Sequence, residues 1–151
     1  MVEKGIYCLI LYTEGAIASV GALGEVVFPA GWYIYVGSAL GPGGLARVAR
    51  HIRLFHGDST SPPRWHIDYL LTDNQFVLER VISAETTERL ECTLAQRLGY
   101  DGVKGFGCSD CRCTTHLLYR KENPQGECRR ALTDCGCIPV EIHVPHGRTG
   151  V

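Results

Sequence analysis

The sequence predicts an α/β domain in which a small, antiparallel-dominated mixed sheet is flanked by helices. Three observations predict it. The run from Lys4 to Tyr12 is apolar on both alternating faces, the pattern of a strand covered on both sides. Short β-prone runs separated by glycine follow it. Two later segments carry apolar residues at helical spacing.

In the first run, Ile6, Cys8 and Ile10 alternate with Tyr7, Leu9 and Leu11, which puts this strand at the centre of the sheet. Gly15, Gly21, Gly24 and Gly31 then punctuate Ala16 to Val20, Glu25 to Phe28 and Trp32 to Val36, the layout of an antiparallel meander. The loop from Gly37 to Gly44 ends the last of these and opens a helix from Leu45 to Phe55. Leu45, Val48, Ile52 and Phe55 form its apolar stripe, with Arg47 and His51 one turn apart on the stripe's edge. Gly57 to Pro63 is a polar, turn-rich loop, and the compact apolar element from Trp65 to Leu71 fits helix or strand equally. Phe76 to Ile82 reads as a strand. Ser83 is placed to cap a second helix, with Glu85 and Glu88 in its first turn and Gly99 just past its end. Thr115 to Tyr119 reads as a further strand. From Arg120 onward the chain is polar and rich in Gly and Pro. Residues 1–120 are therefore expected to form the domain, and 121–151 a cysteine-containing extension, partly disordered, with an edge strand from Ile138 to Val144.

With 151 residues, the chain is long enough for one real core and too short for two. No window approaches the ~18 consecutive apolar residues of a membrane span, and Glu3 and Lys4 before a short strand do not form a signal peptide, so a soluble, cytoplasmic protein is expected. The eight cysteines are accordingly expected as reduced thiols or metal ligands rather than disulfides. A net charge of −1 excludes a binder that lives by global attraction to a polyanion. Local charge is different: Arg47, Arg50, Arg53 and Arg64, with His51 and His56, are opposed only by Asp58, which marks this stretch as the phosphate-facing surface.

The second helix carries the sharpest signal. Leu90, Leu94, Ala95 and Leu98 mark its buried face, and Glu91 falls in the same stripe. A carboxylate aimed at a core is costly unless paired, hydrogen-bonded or bound to a cation. Glu91 is thus a candidate ligand for Mg²⁺ or Mn²⁺, which takes one carboxylate and keeps several waters. Phosphodiester hydrolysis needs such charge around the phosphate and an oriented water. The loop from Gly37 to Gly44 lacks the Gly-Lys-Ser/Thr ending of a nucleotide-binding loop, so nucleotide hydrolysis is not expected.

The pair of tripeptides Gly5-Ile6-Tyr7 and Tyr35-Val36-Gly37, followed by Arg47 and His51, resembles the GIY-YIG nuclease superfamily, with Val at the middle of the second tripeptide. Trp65-His66-Ile67-Asp68-Tyr69, Arg89-Leu90-Glu91-Cys92 and the Cys-rich run from Gly105 to Cys113 narrow the resemblance to its DUF123 branch, the Uri-type endonucleases. The resemblance covers about Gly5 to Tyr119. It implies a GIY-YIG-like fold with an added N-terminal hairpin between Tyr12 and Trp32, where the family's tripeptides usually lie closer together. It implies metal-dependent cleavage of DNA, in repair or processing. Tyr7 would be base or water-orienter, Arg47 would hold the scissile phosphate, His51 would support proton transfer, and Tyr35 would bond a phosphate oxygen or fix the water. Gly37, Ser38, Arg50, His66 and Asp68 complete the substrate-binding candidates, with His66 and Asp68 read either as an acid/base or metal pair or as a histidine oriented within the core. The rival expectation is a non-catalytic nucleic-acid-binding module, with or without a stabilising zinc.

Cys108, Cys111, Cys113 and His116 form a C-x-x-C-x-C-x-x-H string whose ligand types suit zinc. Ligands so closely spaced rarely all close on one ion, so His66 or the pair Cys135 and Cys137 enters as a partner, and reduced buried thiols are the competing reading. The family pattern carries the later cysteines and the histidine of this string without its first cysteine.

Overall fold

The computed structural model describes residues 3–58, 62–99, 101–107 and 113–145. Strand β1 (Gly5–Thr13) lies at the centre, paired along its length with β4 (Gly31–Ala39) on one side and β5 (Phe76–Glu85) on the other. Strands β6 (Leu117–Arg120) and β7 (Val140–His143) complete a five-stranded sheet in the order β6-β4-β1-β5-β7. Every pairing in it is antiparallel, so the sheet is not mixed. The inserted segment forms its own two-stranded ribbon, β2 (Ala16–Ser19) with β3 (Glu25–Phe28): it is the added hairpin that the resemblance implied, and β1 pairs directly with β4 instead of running on in a meander through it.

The alternation read in β1 becomes two cores. Tyr7, Leu9 and Leu11 join one hydrophobic cluster with Val48, Leu54 and Phe55 of α1 (Ala46–His56) and Ile67, Leu70 and Leu71 of α2 (His66–Leu71). Ile6, Cys8 and Ile10 join a second cluster with Leu94, Ala95 and Leu98 of α3 (Glu91–Leu98) and Cys128, Ala131 and Leu132 of α4 (Gln125–Asp134). Helices therefore cover both faces of the sheet. No helix among the described residues is long and apolar enough to cross a membrane.

Three expectations are corrected, and one element left open is assigned. Gly37 and Ser38 belong to β4, opposite Tyr7 and Ile6, and not to the loop after it. Ser83 is a strand residue paired with Tyr7 and Val140, because β5 continues to Glu85 and α3 begins only at Glu91. The segment from Trp65 is a helix, entered through Asp68 at its third position, whose Oδ2 accepts from the N–H of Trp65. The tail does carry the edge strand expected within 138–144, as β7 paired with β5, but the stretch before it, expected to be irregular, contains α4, so the described residues from 125 to 143 are built into the same sheet and its second core.

Candidate functional site

Tyr7 and Tyr35 stand on the same face of the sheet, on adjacent strands, with ring centroids 6.5 Å apart. Gly37 sits directly opposite Tyr7, and a Cβ there would lie 2.5–2.7 Å from the phenol ring. The glycine of the second tripeptide is thus the space that lets the tyrosine of the first lie flat across β4. Over this pair lies α1. Its residue His51 is only 1% exposed and bonds Tyr7 through Nε2 at 2.8 Å, so His51 occupies the middle of the buried face rather than its edge.

The Tyr7–His51 pair is electrostatically tense. Burial pushes the Tyr7 phenol well above its usual range, against the opposing influence of the Arg47 guanidinium beside it. Burial likewise lifts Tyr35. The same cause, reinforced by Arg50 and Arg47 and opposed by Asp68, lowers His51 to about 4. His51 is therefore neutral at physiological pH. Its Nδ1 is buried without a hydrogen-bond partner. Which of the two groups donates in the Tyr7–His51 bond is set by the imidazole tautomer.

A pH dependence of stability follows. The folded value for His51 lies below the unfolded one of about 6.5, so the unfolded chain binds more protons between pH 4 and 6.5. The contribution is complete above pH 6.5 and is lost, by a few kcal/mol, as pH falls toward 4. Urea midpoints measured across that window should fall steeply for the wild type and more gently for His51→Gln; parallel curves would exclude the buried neutral imidazole as the cause.

A cleft opens beside the pair, lined by Tyr35, Ser38, Arg47, Arg64, Trp65, His66, Glu91 and Gly107. Arg47 enters from α1 and is steadied by donation from Nη1 to the Ser38 carbonyl at 2.7 Å. Ser38 thus contributes its backbone to the site. The indole of Trp65 lies against three guanidinium groups, those of Arg47 at 4.8 Å, Arg50 at 4.7 Å and Arg64 at 5.4 Å. His66 accepts from the Gly107 N–H through Nδ1 at 2.9 Å, which leaves Nε2–H as its free donor, and burial lowers its pKa. Tyr7, 1% exposed, stands behind the cleft wall rather than on it.

Glu91 reaches the cleft from the first turn of α3. Its side chain is 29% exposed, so it does not sit within the buried stripe; the helix begins at this residue and buries Leu94, Ala95 and Leu98 beyond it. Its Oε1 lies 3.2 Å from Nδ1 of the buried His116.

Two other predicted site residues have different duties. Arg50 donates to both oxygens of Asp68, at 3.1 and 3.0 Å. Asp68 is fully buried, and its Oδ2 also accepts from the backbone N–H groups of Arg64 and Trp65. Burial pushes the Asp68 carboxyl up, and these four donations more than reverse it, so its pKa ends below the ordinary carboxylate range. With its oxygens so engaged, Asp68 is not paired with His66 as an acid/base or metal couple. It fixes the Arg64–Trp65 segment against α1.

Cys108 and Cys111, expected as zinc ligands, lie outside the described residues. Cys113 and His116 are instead joined by Cys92 of α3, with the three ligand atoms within 4.8 Å of one another. Neither the His66 ring nor Cys135 and Cys137 belongs to this group. Contact with Cys128 and burial raise the Cys8 thiol, and burial raises that of Cys137. Cys92 was missed as a ligand because it lies 21 positions before Cys113, although it closes the Arg89-Leu90-Glu91-Cys92 motif.

Comparison with protein families gives a match to the model of a domain of unknown function, DUF123, over residues 6–137. The chain belongs to the DUF123 family. The match takes in Tyr7, Tyr35, Arg47, His51 and Glu91, and it continues through α4, beyond the Tyr119 limit of the resemblance read from motifs. Comparison with curated proteins and with solved structures gives no match.

Proposed function

We propose that this DUF123 protein is a metal-dependent DNA endonuclease of GIY-YIG type, in the Uri-type branch, acting in DNA repair or processing. The observation that carries the reading is the convergence of the Tyr7–His51 hydrogen bond, the Arg47 guanidinium and the Glu91 carboxylate around one cleft. Among the described residues lining that cleft, Glu91 is the sole carboxylate, set among Arg47, Arg64 and His66. A cleft with two guanidiniums and one carboxylate suits a phosphodiester better than a neutral substrate.

The donor set fits a hard divalent cation, because Mg²⁺ or Mn²⁺ needs only one or two protein carboxylates and fills its shell with water and substrate oxygens. Held by Glu91, the ion would supply positive charge to the phosphate as its bonds rearrange. The chain's own groups do the rest. Arg47, anchored by one donor on Ser38, has others left for the phosphate oxygens. His66 offers Nε2–H and Tyr35 its hydroxyl to the same cleft. Tyr7 orients or deprotonates the attacking water. Arg47 favours its phenolate, and burial holds it as a neutral phenol in the resting site.

One observation favours a second reading. Tyr7 lies behind the cleft wall with its phenol raised, as suits a domain that binds phosphate without cutting it. Cleavage of a labelled panel of duplex, single-stranded, flap and branched DNA with Mg²⁺ or Mn²⁺ separates the two. Wild type should cut one of these structures in a cation-dependent way, and binding without cleavage across the panel would replace the nuclease with the binding module. On the preferred substrate, Arg47→Ala should lower turnover by about 10²- to 10³-fold, the range for loss of a transition-state donor, and weaken binding far less. Equal losses would make Arg47 a ground-state anchor.

A further inference from the structure

We infer that Cys92, Cys113 and His116 form a zinc site that staples the start of α3 to the segment entering β6. The inference rests on these side chains and is independent of the nuclease reading. The three donor atoms lie within 4.8 Å of one another, and Cys92 Sγ is 4.0 Å from His116 Nε2. Around a tetrahedral zinc, with Zn–S of about 2.3 Å and Zn–N of about 2.0 Å, such donors stand about 3.5–3.8 Å apart. Small rotamer shifts close the difference. Two thiolates and an imidazole are a soft set that favours zinc over the hard cation suited to Glu91.

The second nitrogen of His116 supports the assignment. While Nε2 faces Cys92, Nδ1 lies 3.2 Å from Glu91 Oε1. That is the carboxylate–histidine–metal arrangement, in which an acidic partner fixes the tautomer and ring orientation of a ligating histidine. His116 is 1% exposed and its backbone is held as well, its N–H donating to the Phe106 carbonyl and its carbonyl accepting from the Val36 N–H. The ligand is therefore preorganised before any ion arrives.

Zinc at this position makes His116 a positioning residue for Glu91. The ion holds Nε2, and Nδ1–H then points at Oε1, leaving the other carboxylate oxygen for the cleft. One ion thereby ties a surface helix terminus to the centre of the proposed site. It also closes a loop of more than twenty residues between Cys92 and Cys113, a constraint that grows with loop length.

The test is metal content of the full-length chain, purified under reducing conditions, with cobalt as a spectroscopic substitute. Wild type and Cys135→Ser should each carry one zinc per chain, and cobalt-loaded wild type should show the charge-transfer absorption of two thiolates. Cys92→Ser and Cys113→Ser should each weaken zinc at least about a hundredfold in chelator competition, because losing a ligand exceeds the 10- to 100-fold cost of losing an outer partner. Full zinc content in both variants would overturn the assignment. So would a wild-type chain that holds no zinc and gives no cobalt–thiolate band. Rapid, selective alkylation of Cys92 in such a metal-free chain would instead mark a thiol–imidazole pair. If either serine variant fails to fold, the cobalt spectrum of wild type still decides, since absorption from fewer than two thiolates excludes the site.

Discussion

On the proposed nuclease reading, Glu91→Gln is expected to abolish divalent-cation-dependent cleavage while leaving the fold and DNA binding in place. The amide keeps the size of the side chain and an oxygen that can still accept from His116 Nδ1, so the expected loss is that of the negative charge alone. A bound cation supplies several kcal/mol to phosphoryl transfer, and each 1.36 kcal/mol is tenfold in rate, so the fall should be about a thousandfold or more. The measurement is single-turnover cleavage of the preferred DNA at saturating protein, with zinc content determined in parallel. Cutting within tenfold of wild type would remove Glu91 as the cation ligand. Loss of cutting together with loss of zinc would show that the variant damages the Cys92–Cys113–His116 cluster, and the zinc measurement keeps those outcomes apart.

Asp68→Ala is expected to produce the largest loss of stability of any single change near the cleft. Asp68 is fully buried and receives four hydrogen bonds, two from Arg50 and one each from the backbone of Arg64 and Trp65. Removing one partner of a buried pair typically costs 3–5 kcal/mol, because the other charge stays behind unpaired. Arg50 is 21% exposed and recovers some hydration, which places the expected loss at the lower end, about 3 kcal/mol. Urea denaturation at neutral pH measures it, and a loss below about 1 kcal/mol would mean that solvent screens the pair. The same carboxylate adds to acid sensitivity. Its folded pKa is depressed, so its contribution is present above the unfolded value and disappears as pH falls through the folded one.

The parts of the fold legible in the sequence were those written in local periodicity. The two-faced alternation of Ile6, Cys8 and Ile10 against Tyr7, Leu9 and Leu11 needed no knowledge of what covered either face, and both cores follow from it. Helix α4 was hidden because Gln125–Asp134 is mostly polar, carries Gly126 inside it and buries only Cys128, Ala131 and Leu132. Glu91 was drawn to the cleft by its spacing with Leu94, Ala95 and Leu98. Spacing alone could not show that the helix starts there and leaves the residue at the rim. The roles of Asp68 and Cys92 depend on partners 18 and 24 residues away, Arg50 and His116, which no local pattern reports. One signal was available for Asp68: an acidic residue three positions after Trp65 at the entry to an apolar run is half of a capping box.

The clasp of guanidiniums around Trp65 equips the chain with its own optical gauge. The sequence holds two tryptophans, and Trp32 meets Tyr12 at a tilt, ring centroids 5.0 Å apart, packed against the second core rather than in the cleft. Trp65 lines the cleft, and two of the cations against it, Arg47 and Arg64, line it too. A phosphate that draws those cations away from the ring alters the field felt by the indole, so occupancy of the cleft is written into the emission of a single native fluorophore.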